Sequence, residues 1–522
     1  MVSPPRARLR QALSRRRQTL HPLRLSAASF SIQGIMNPHS DFLIIGTGAG
    51  GAACALRLAA SGKRVVLLEK GKTLPRDGST LDPGAVFRDA RFKSREVWAG
   101  PDGQMFVPDA FHNVGGKTKW YGAALLRFAP NEFMAAPEHG HLAWPFGYAE
   151  LAPWYDEAER LLGVGTFPHE PELQRLITRI ETGGWHARAL PLGLDPSILE
   201  HPDEARHFDG FASPGGFKAD AESALLSRAL ASPNVTLESG CEATALLPGS
   251  TPDRIAGVDT TQGPWTAGHV VLAGGALNSP RLLQDYVDRH GLAGHLPSSP
   301  LIGAYYKMHL NSALVVFGLA RRRDLLRKTA LFTHDAFPHS TVQNLGWLDG
   351  ELLAPQLPSF LPRALVDGLG ARAVGFFATT EDGSHRANRV VSGTRRNGMP
   401  QLDYDPGRLP AAQAEHQALI RAFLARLRRA GLVGGSKWMG LAGAAHALGT
   451  LATGNDPAHS VVDAKGCVHG FVNLHVADGS VLPRASRVNP ALTIYAWGLR
   501  LGQHLADTPA PDVPSRRVPP NR

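Results

Sequence analysis

Cysteine is scarce in this chain of 522 residues: Cys54, Cys241 and Cys467 are the three present, far apart. No close pair could clamp zinc or an iron–sulfur cluster, no CxxCH haem-attachment motif occurs, and a disulfide framework is not expected. Long apolar runs are also missing. None approaches the ~18 residues of a membrane-spanning helix, so a protein without a transmembrane segment, placed in the cytoplasm, is expected. Acidic residues are absent from the first 36 positions, which carry Arg6, Arg8, Arg10, Arg15, Arg16, Arg17 and Arg24. Only three of the ten net positive charges therefore belong to the other 486 residues. That is too few for a groove that tracks phosphates over a folded body, and no nucleic-acid partner is expected. The basic leader lacks the apolar core of a secretory signal; residues 1–36 are read as disordered or as a misassigned start, with Met36 as the true beginning.

What is present describes a globular enzyme rich in turns, with 43% hydrophobic and 19% charged residues, 56 glycines and 40 prolines. The length exceeds what one hydrophobic core usually supports, so two domains are expected. There is no internal repeat and no G-x-S-x-G elbow, which leaves a hydrolase without support.

Residues 41–71 read strand, glycine turn, helix, strand, with the helix expected from about Ala52. The turn Gly46-Thr47-Gly48-Ala49-Gly50-Gly51 matches G-x-G-x-x-G in the context that gives the motif meaning. Gly46 allows the tight turn, Gly48 lets backbone amides approach a pyrophosphate, and Gly51 lets helix pack on strand with its N-terminus facing the negative charge. Glu69 ends the second strand 23 positions after Gly46, where a carboxylate accepts from ribose hydroxyls and disfavours a 2′-phosphate. The motif by itself serves NAD and FAD alike. This chain, however, leaves the regular βα pattern near residue 72 and returns to it near 265 and again near 475, a discontinuity that looks like a flavoprotein.

Four blocks in order carry a family resemblance: the turn at 46–51; Gly115-Gly116-Lys117-Thr118 leading to Leu126-Arg127-Phe128; AGGALNSPRLL at 273–283; and a C-terminal set of HALGT (446–450), VVDAKGCVHGFVNLHVADGSVLP (461–483) and VNPALTIYA (488–496). Together they resemble the glucose-methanol-choline (GMC) oxidoreductases, and the WP-x-x-Y segment from Trp144 to Tyr155 is similar to bacterial sugar and sugar-acid dehydrogenases. The resemblance implies an α/β fold: a discontinuous Rossmann-like FAD domain (37–135, 206–299 and 441–506) and a mixed α+β substrate domain (136–205 and 300–440), with a disordered tail at 507–522. It implies that Gly115, Gly116 and Thr118 line the flavin and pyrophosphate, that Ala243, Ala273 and Gly274 approach the adenosine, and that Asp478 lies by the pyrophosphate and ribityl chain. Asn489 and Pro490 would aim the last helix's positive end at the flavin.

The reaction implied is oxidation of a CH–OH group of an alcohol, sugar or polyol to a carbonyl by hydride transfer to flavin. A base must take the hydroxyl proton, and histidine suits that near neutral pH. His446 holds the position of the family's catalytic histidine, and Asn489, 43 positions later, that of its partner, which orients the hydroxyl. His309, His459, His469 and His475 are read as structural, and no histidine spacing suggests a metal site. The sequence departs from the family pattern at Trp120, where covalently flavinylated relatives carry histidine, so dissociable FAD is expected. It departs also at Tyr121, often asparagine, and at Leu451-Ala452-Thr453-Gly454. A separate quinone, protein carrier or oxygen would reoxidise the flavin. Two rival readings keep the fold: a flavin-containing lyase or decarboxylase, and a non-catalytic flavin carrier.

Overall fold

The strand Ser40–Ile45, the helix Ala49–Ala59 and the strand Val65–Glu69 open the fold in a computed structural model that describes residues 39–508 other than 355, 356, 359, 397, 444 and 445. Both strands are apolar and buried on both faces, as strands inside a parallel sheet must be. The strands run in parallel in the order 235–239, 65–69, 40–45, 265–272, 474–476, with Phe42 registered on Val65 and on His269. Thus neighbours in the sheet come from chain segments more than two hundred residues apart, as Phe42 and His269 do. The hairpin Ala243–Pro248 and Ile255–Thr260 continues the sheet antiparallel from the start of Trp265–Leu272.

The first helix begins at Ala49, three residues before the expected start, so Gly50 and Gly51 lie in its first turn. A Cβ on Gly50 would fall 1.6 Å from the Ala477 carbonyl oxygen, and only a glycine lets the 477–478 backbone pass there. The last helix, Ala491–Asp507, extends one residue into the expected tail and packs on the first. Residues 1–36 and 509–522, the leader and the rest of that tail, lie outside the described residues. Among the described residues no helix is long and apolar enough to cross a membrane.

A second sheet is antiparallel throughout, in the order 433–438, 309–317, 373–381, 340–344, 330–334, 185–189. Side chains alternate across it. Leu314, Val316, Val342, Phe376 and Ala378 face one core with Leu419, Phe423 and Leu427 of the helix Pro410–Arg429. Phe423 is fully buried 4.8 Å from Trp185 and 5.0 Å from Phe376, ring to ring; burying such a side chain contributes about 1.5–3 kcal/mol. The opposite face is polar for a β-sheet, carrying His309, Asn311, Thr341, Gln343, Thr379 and Glu381 at matching register positions, all of them buried. Buried polar groups need partners. Residues 484–490, the segment that feeds the last helix, supply many of them.

Candidate active site

The nucleotide end is made mostly of backbone. Gly46 has φ +107°, and a Cβ there would lie 2.3 Å from the Ala273 carbonyl oxygen, which brings Ala273 and Gly274 against the turn. Glu69 Oε2 accepts from Thr47 N (3.1 Å) and Thr47 Oγ1 (2.7 Å), and Oε1 from Gly71 N (2.9 Å). Burial pushes its pKa upward against these bonds. The carboxylate thus braces the turn, with lone pairs left for a ligand. Cys241 N donates to the Glu69 carbonyl (2.9 Å), which sets the edge strand beginning at Ala243 beside the same carboxylate-bearing strand.

Gly115, Gly116 and Thr118 fold over this turn. Gly115 N donates to Thr47 Oγ1 (3.1 Å), and a Cβ on Gly116 would approach Gly48 Cα to 3.2 Å. Thr118 Oγ1 donates to Gly115 O (2.6 Å) and accepts from Ala221 N (2.9 Å), while Tyr121 Oη donates to Ala219 O (2.6 Å). Lys119 is paired with Asp220 (3.0 Å) and Glu222 (2.8 Å). Trp120 is buried, stacks on Phe111 and donates from Nε1 to Asn113 (3.0 Å). On the far side, Asp478 accepts from Gly275 N (2.8 Å), Ser279 Oγ (2.5 Å) and Ser480 N (2.9 Å), tying the 274–279 turn to the 478–481 turn. Burial raises its pKa in spite of these donors.

These residues fit a dinucleotide. The first helix has no side-chain cap and no acid in its first turn, and Gly48 has open space where a Cβ would stand. Its free amides and positive end suit a pyrophosphate. The last helix, capped by Pro490, also lacks a side-chain cap and an acid in its first turn.

The chemical end is made of side chains. His446–Thr450 runs alongside the 478–481 turn, with Gly449 N donating to Gly479 O (3.1 Å). The ring of half-buried His446 meets His309 on the polar sheet face, Nδ1 to Nδ1 at 2.7 Å. His309 Nε2 lies 2.8 Å from the Ser486 carbonyl oxygen. A carbonyl only accepts, so His309 is protonated at Nε2 and bare at Nδ1. His446 must then donate from Nδ1, leaving its Nε2 lone pair available as a base. Burial above all, with Lys117 and Lys328 adding to it, depresses the His446 pKa well below the ordinary histidine value, so the imidazole is neutral at pH 7. Asn489 is held in the same manner: Gln343 Nε2, from the same sheet face, donates to Asn489 Oδ1 (2.6 Å) and leaves the Asn489 amide donors for a ligand. Arg484 fixes the approach, its guanidinium forked onto the fully buried Glu381 (2.9 and 2.7 Å), which also accepts from Ser486 N (3.0 Å).

Ala273, Gly115 and Gly116 meet the glycine turn directly and Glu69 braces it, Asp478 holds the neighbouring 274–279 turn, and Ala243 opens the strand that follows Cys241; His446 and Asn489 each meet the polar sheet face, through His309 and Gln343. His475 pairs with His269 inside the parallel sheet (3.2 Å), and His459 lies on the surface with Asp456 (2.7 Å). Sequence reasoning missed the contact of His309 with His446 and the supporting roles of Gln343, Glu381 and Arg484. The signal available was a strand, HLNSALVVF, whose polar residues alternate with apolar ones.

A Rossmann-type parallel sheet with an open glycine turn and an uncapped helix N-terminus defines a dinucleotide-binding fold. The FAD dependent oxidoreductase family model matches residues 41–325, more than half of the chain, and the C-terminal GMC oxidoreductase model matches residues 389–498. The chain belongs to the FAD-dependent GMC oxidoreductases. It is 29% identical to paromamine 6'-oxidase of Streptomyces fradiae, over 89% of this chain and 91% of that one. It is 24% identical to 2-methyl-1,2-propanediol dehydrogenase of Mycolicibacterium austroafricanum, over 92% and 98%. The fold is similar to the crystal structure of pyridoxine 4-oxidase from Mesorbium loti, with a TM-score of 0.67 at 19% identity, over 89% of this chain and 99% of that one.

Proposed function

We propose that this flavoenzyme oxidises a CH–OH group of a polar alcohol, a sugar or polyol, to a carbonyl, with His446 as the base and Asn489 orienting the hydroxyl. The observation that carries the proposal is the double anchoring of these two residues by His309 and Gln343, which leaves one lone pair and one pair of amide donors uncommitted among the described residues. Bound FAD supplies the acceptor for the hydride leaving the alcohol carbon. His446 Nε2 takes the hydroxyl proton, which keeps positive charge from building on the carbon. The Asn489 amide donates to the alcohol oxygen and holds the carbon in place. The substrates that the two relatives are named for, paromamine and 2-methyl-1,2-propanediol, favour a polar alcohol. With Trp120 where an attached flavin would need histidine, FAD is held without a covalent bond and is released on denaturation. Electrons then pass to a separate acceptor: quinone, protein carrier or oxygen.

Anaerobic mixing with sugars, polyols and hydrophobic alcohols tests this. Bleaching of the flavin band is expected with at least one polar alcohol, and His446→Ala should keep its flavin while slowing bleaching by ~10²–10⁴-fold. Conversion of a cyanohydrin or a carboxylic acid without bleaching by any alcohol would replace the proposal with a lyase or decarboxylase. Undiminished bleaching in His446→Ala would remove the imidazole from the mechanism.

A further inference from the structure

Beyond the flavin cleft, the fold gathers three histidines from two distant segments. His139 ends a short turn closed by the backbone pair Ala136–His141; His339 precedes the strand Ser340–Asn344; and their ring centroids are 4.1 Å apart. His141 lies 4.9 Å from His339. Glu415, in the second turn of the helix Pro410–Arg429, accepts from His339 N (3.0 Å) and Ser340 Oγ (2.7 Å), both through Oε1, which leaves its second oxygen uncommitted among the described residues. One ligand atom from each of His139, His339 and Glu415 lies within 4.8 Å of the other two. His139 Nδ1 and His141 Nε2 are buried without a hydrogen-bond partner. Crowded imidazoles with such nitrogens leave buried polar atoms that no hydrogen bond satisfies among the described residues, although His139 Nδ1 faces Glu138 Oε1 at 3.6 Å.

A second triad, His141, His339 and Glu381, is equally close in space. It already holds a cation. The Arg484 guanidinium is 2.7 Å from Glu381 Oε2 and 3.0 Å from His141 Nδ1, so a metal ion there would meet a buried positive charge. Among the described residues no lysine or arginine is paired with the outer triad. His139 and His339 keep 25% and 19% side-chain exposure, enough for an ion to enter from solvent.

We infer that His139, His339 and Glu415 form a binding site for a divalent transition-metal ion of the zinc class. Two imidazoles and a carboxylate are a borderline donor set suited to zinc, with water completing a tetrahedron. Ligand bonds of about 2.0–2.2 Å put donor atoms roughly 3.3–3.5 Å apart, so the triad closes slightly around the ion by side-chain rotation. Glu381, 3.7 Å from His339 Nδ1, stands behind the ligand histidine as an outer carboxylate. The ion has no electron-transfer role. It staples the 136–141 turn and the helix 410–429 to the end of the sheet that carries His309, and it does so independently of the alcohol chemistry proposed above.

The test uses FAD-loaded protein stripped with a chelator and dialysed against zinc alone, with zinc counted by mass spectrometry. One zinc per chain is expected. His339→Ala and Glu415→Gln, each shown to retain flavin, should weaken zinc binding by ~10-fold or more, while the surface variant His459→Ala binds as the wild type does. Cobalt in the same site should show visible absorption of tetrahedral intensity beyond the flavin band. If His339→Ala loses its flavin, His139→Ala takes its place in the comparison. No zinc uptake by the wild type, or uptake unchanged in Glu415→Gln, would overturn the site. Loss of zinc in His141→Ala with none in Glu415→Gln would overturn the assignment in favour of the inner triad.

Discussion

The two ends of the cleft are built from different materials. At the nucleotide end, close backbone approaches at Gly46, Gly50 and Gly116 make the shape, and the side chains of Thr47, Glu69 and Asp478 brace turns. At the end where the proposed chemistry lies the parts are side chains, each held by another side chain on the polar sheet face: His446 by His309, Asn489 by Gln343. Backbone sites fail through steric exclusion, all at once. Side-chain sites fail by degrees, through lost orientation and shifted proton affinity.

Substitutions can sharpen or break that contrast. The largest effect is expected at Gly46→Ala, whose Cβ must displace the Ala273 carbonyl at a positive φ: the protein should purify without flavin colour, and a yellow variant would show that the turn yields. Arg484→Ala leaves Glu381 buried without its counter-ion and should cost about 3–5 kcal/mol of stability, read as a lowered urea midpoint. A midpoint within error of wild type would mean the 484–490 segment does not depend on that pair. Asn489→Ala should keep flavin and fold while slowing flavin reduction by about 10²-fold, the scale of losing one donor to a charge-developing oxygen. Equal rates would assign the orientation to another group.

The smallest effect is expected at His309→Ala, with a rate loss of roughly tenfold from the loosened His446 ring and a diagnostic pH signature. Burial is the first cause of the depressed His446 pKa, and truncating His309 opens space for water beside that ring. Hydration lets that pKa rise, so the acidic limb of kcat/KM, where the base becomes protonated and activity falls, should move to higher pH. A limb that stays in place would reduce His309 to a packing role.

The same contrast explains what could be read in advance. The glycine turn, Glu69 and the strands around them lie within 31 consecutive residues, and their spacing carries a local mechanism, so fold class and cofactor end were legible from residues 41–71. His446 and Asn489 were legible only because flanking blocks resemble a family. His309 was passed over: one histidine in an alternating strand has no local signature, and its role arises from pairing at 2.7 Å with a residue 137 positions away. The helix start was misjudged by three residues because glycines that discourage a helix in isolation are required here by the Ala477 backbone.

The βαβ fingerprint determined by itself that the chain makes a dinucleotide-binding fold, because short-range sterics and helix polarity act over a few residues; that the dinucleotide is FAD was implied by the resemblance of the four blocks to a family. Only the tertiary structure decided which nitrogen of His446 is free, what holds Asn489, and that His139, His339 and Glu415 converge. Those outcomes depend on the register of an antiparallel sheet and on which segments cross its polar face, and no local pattern encodes either.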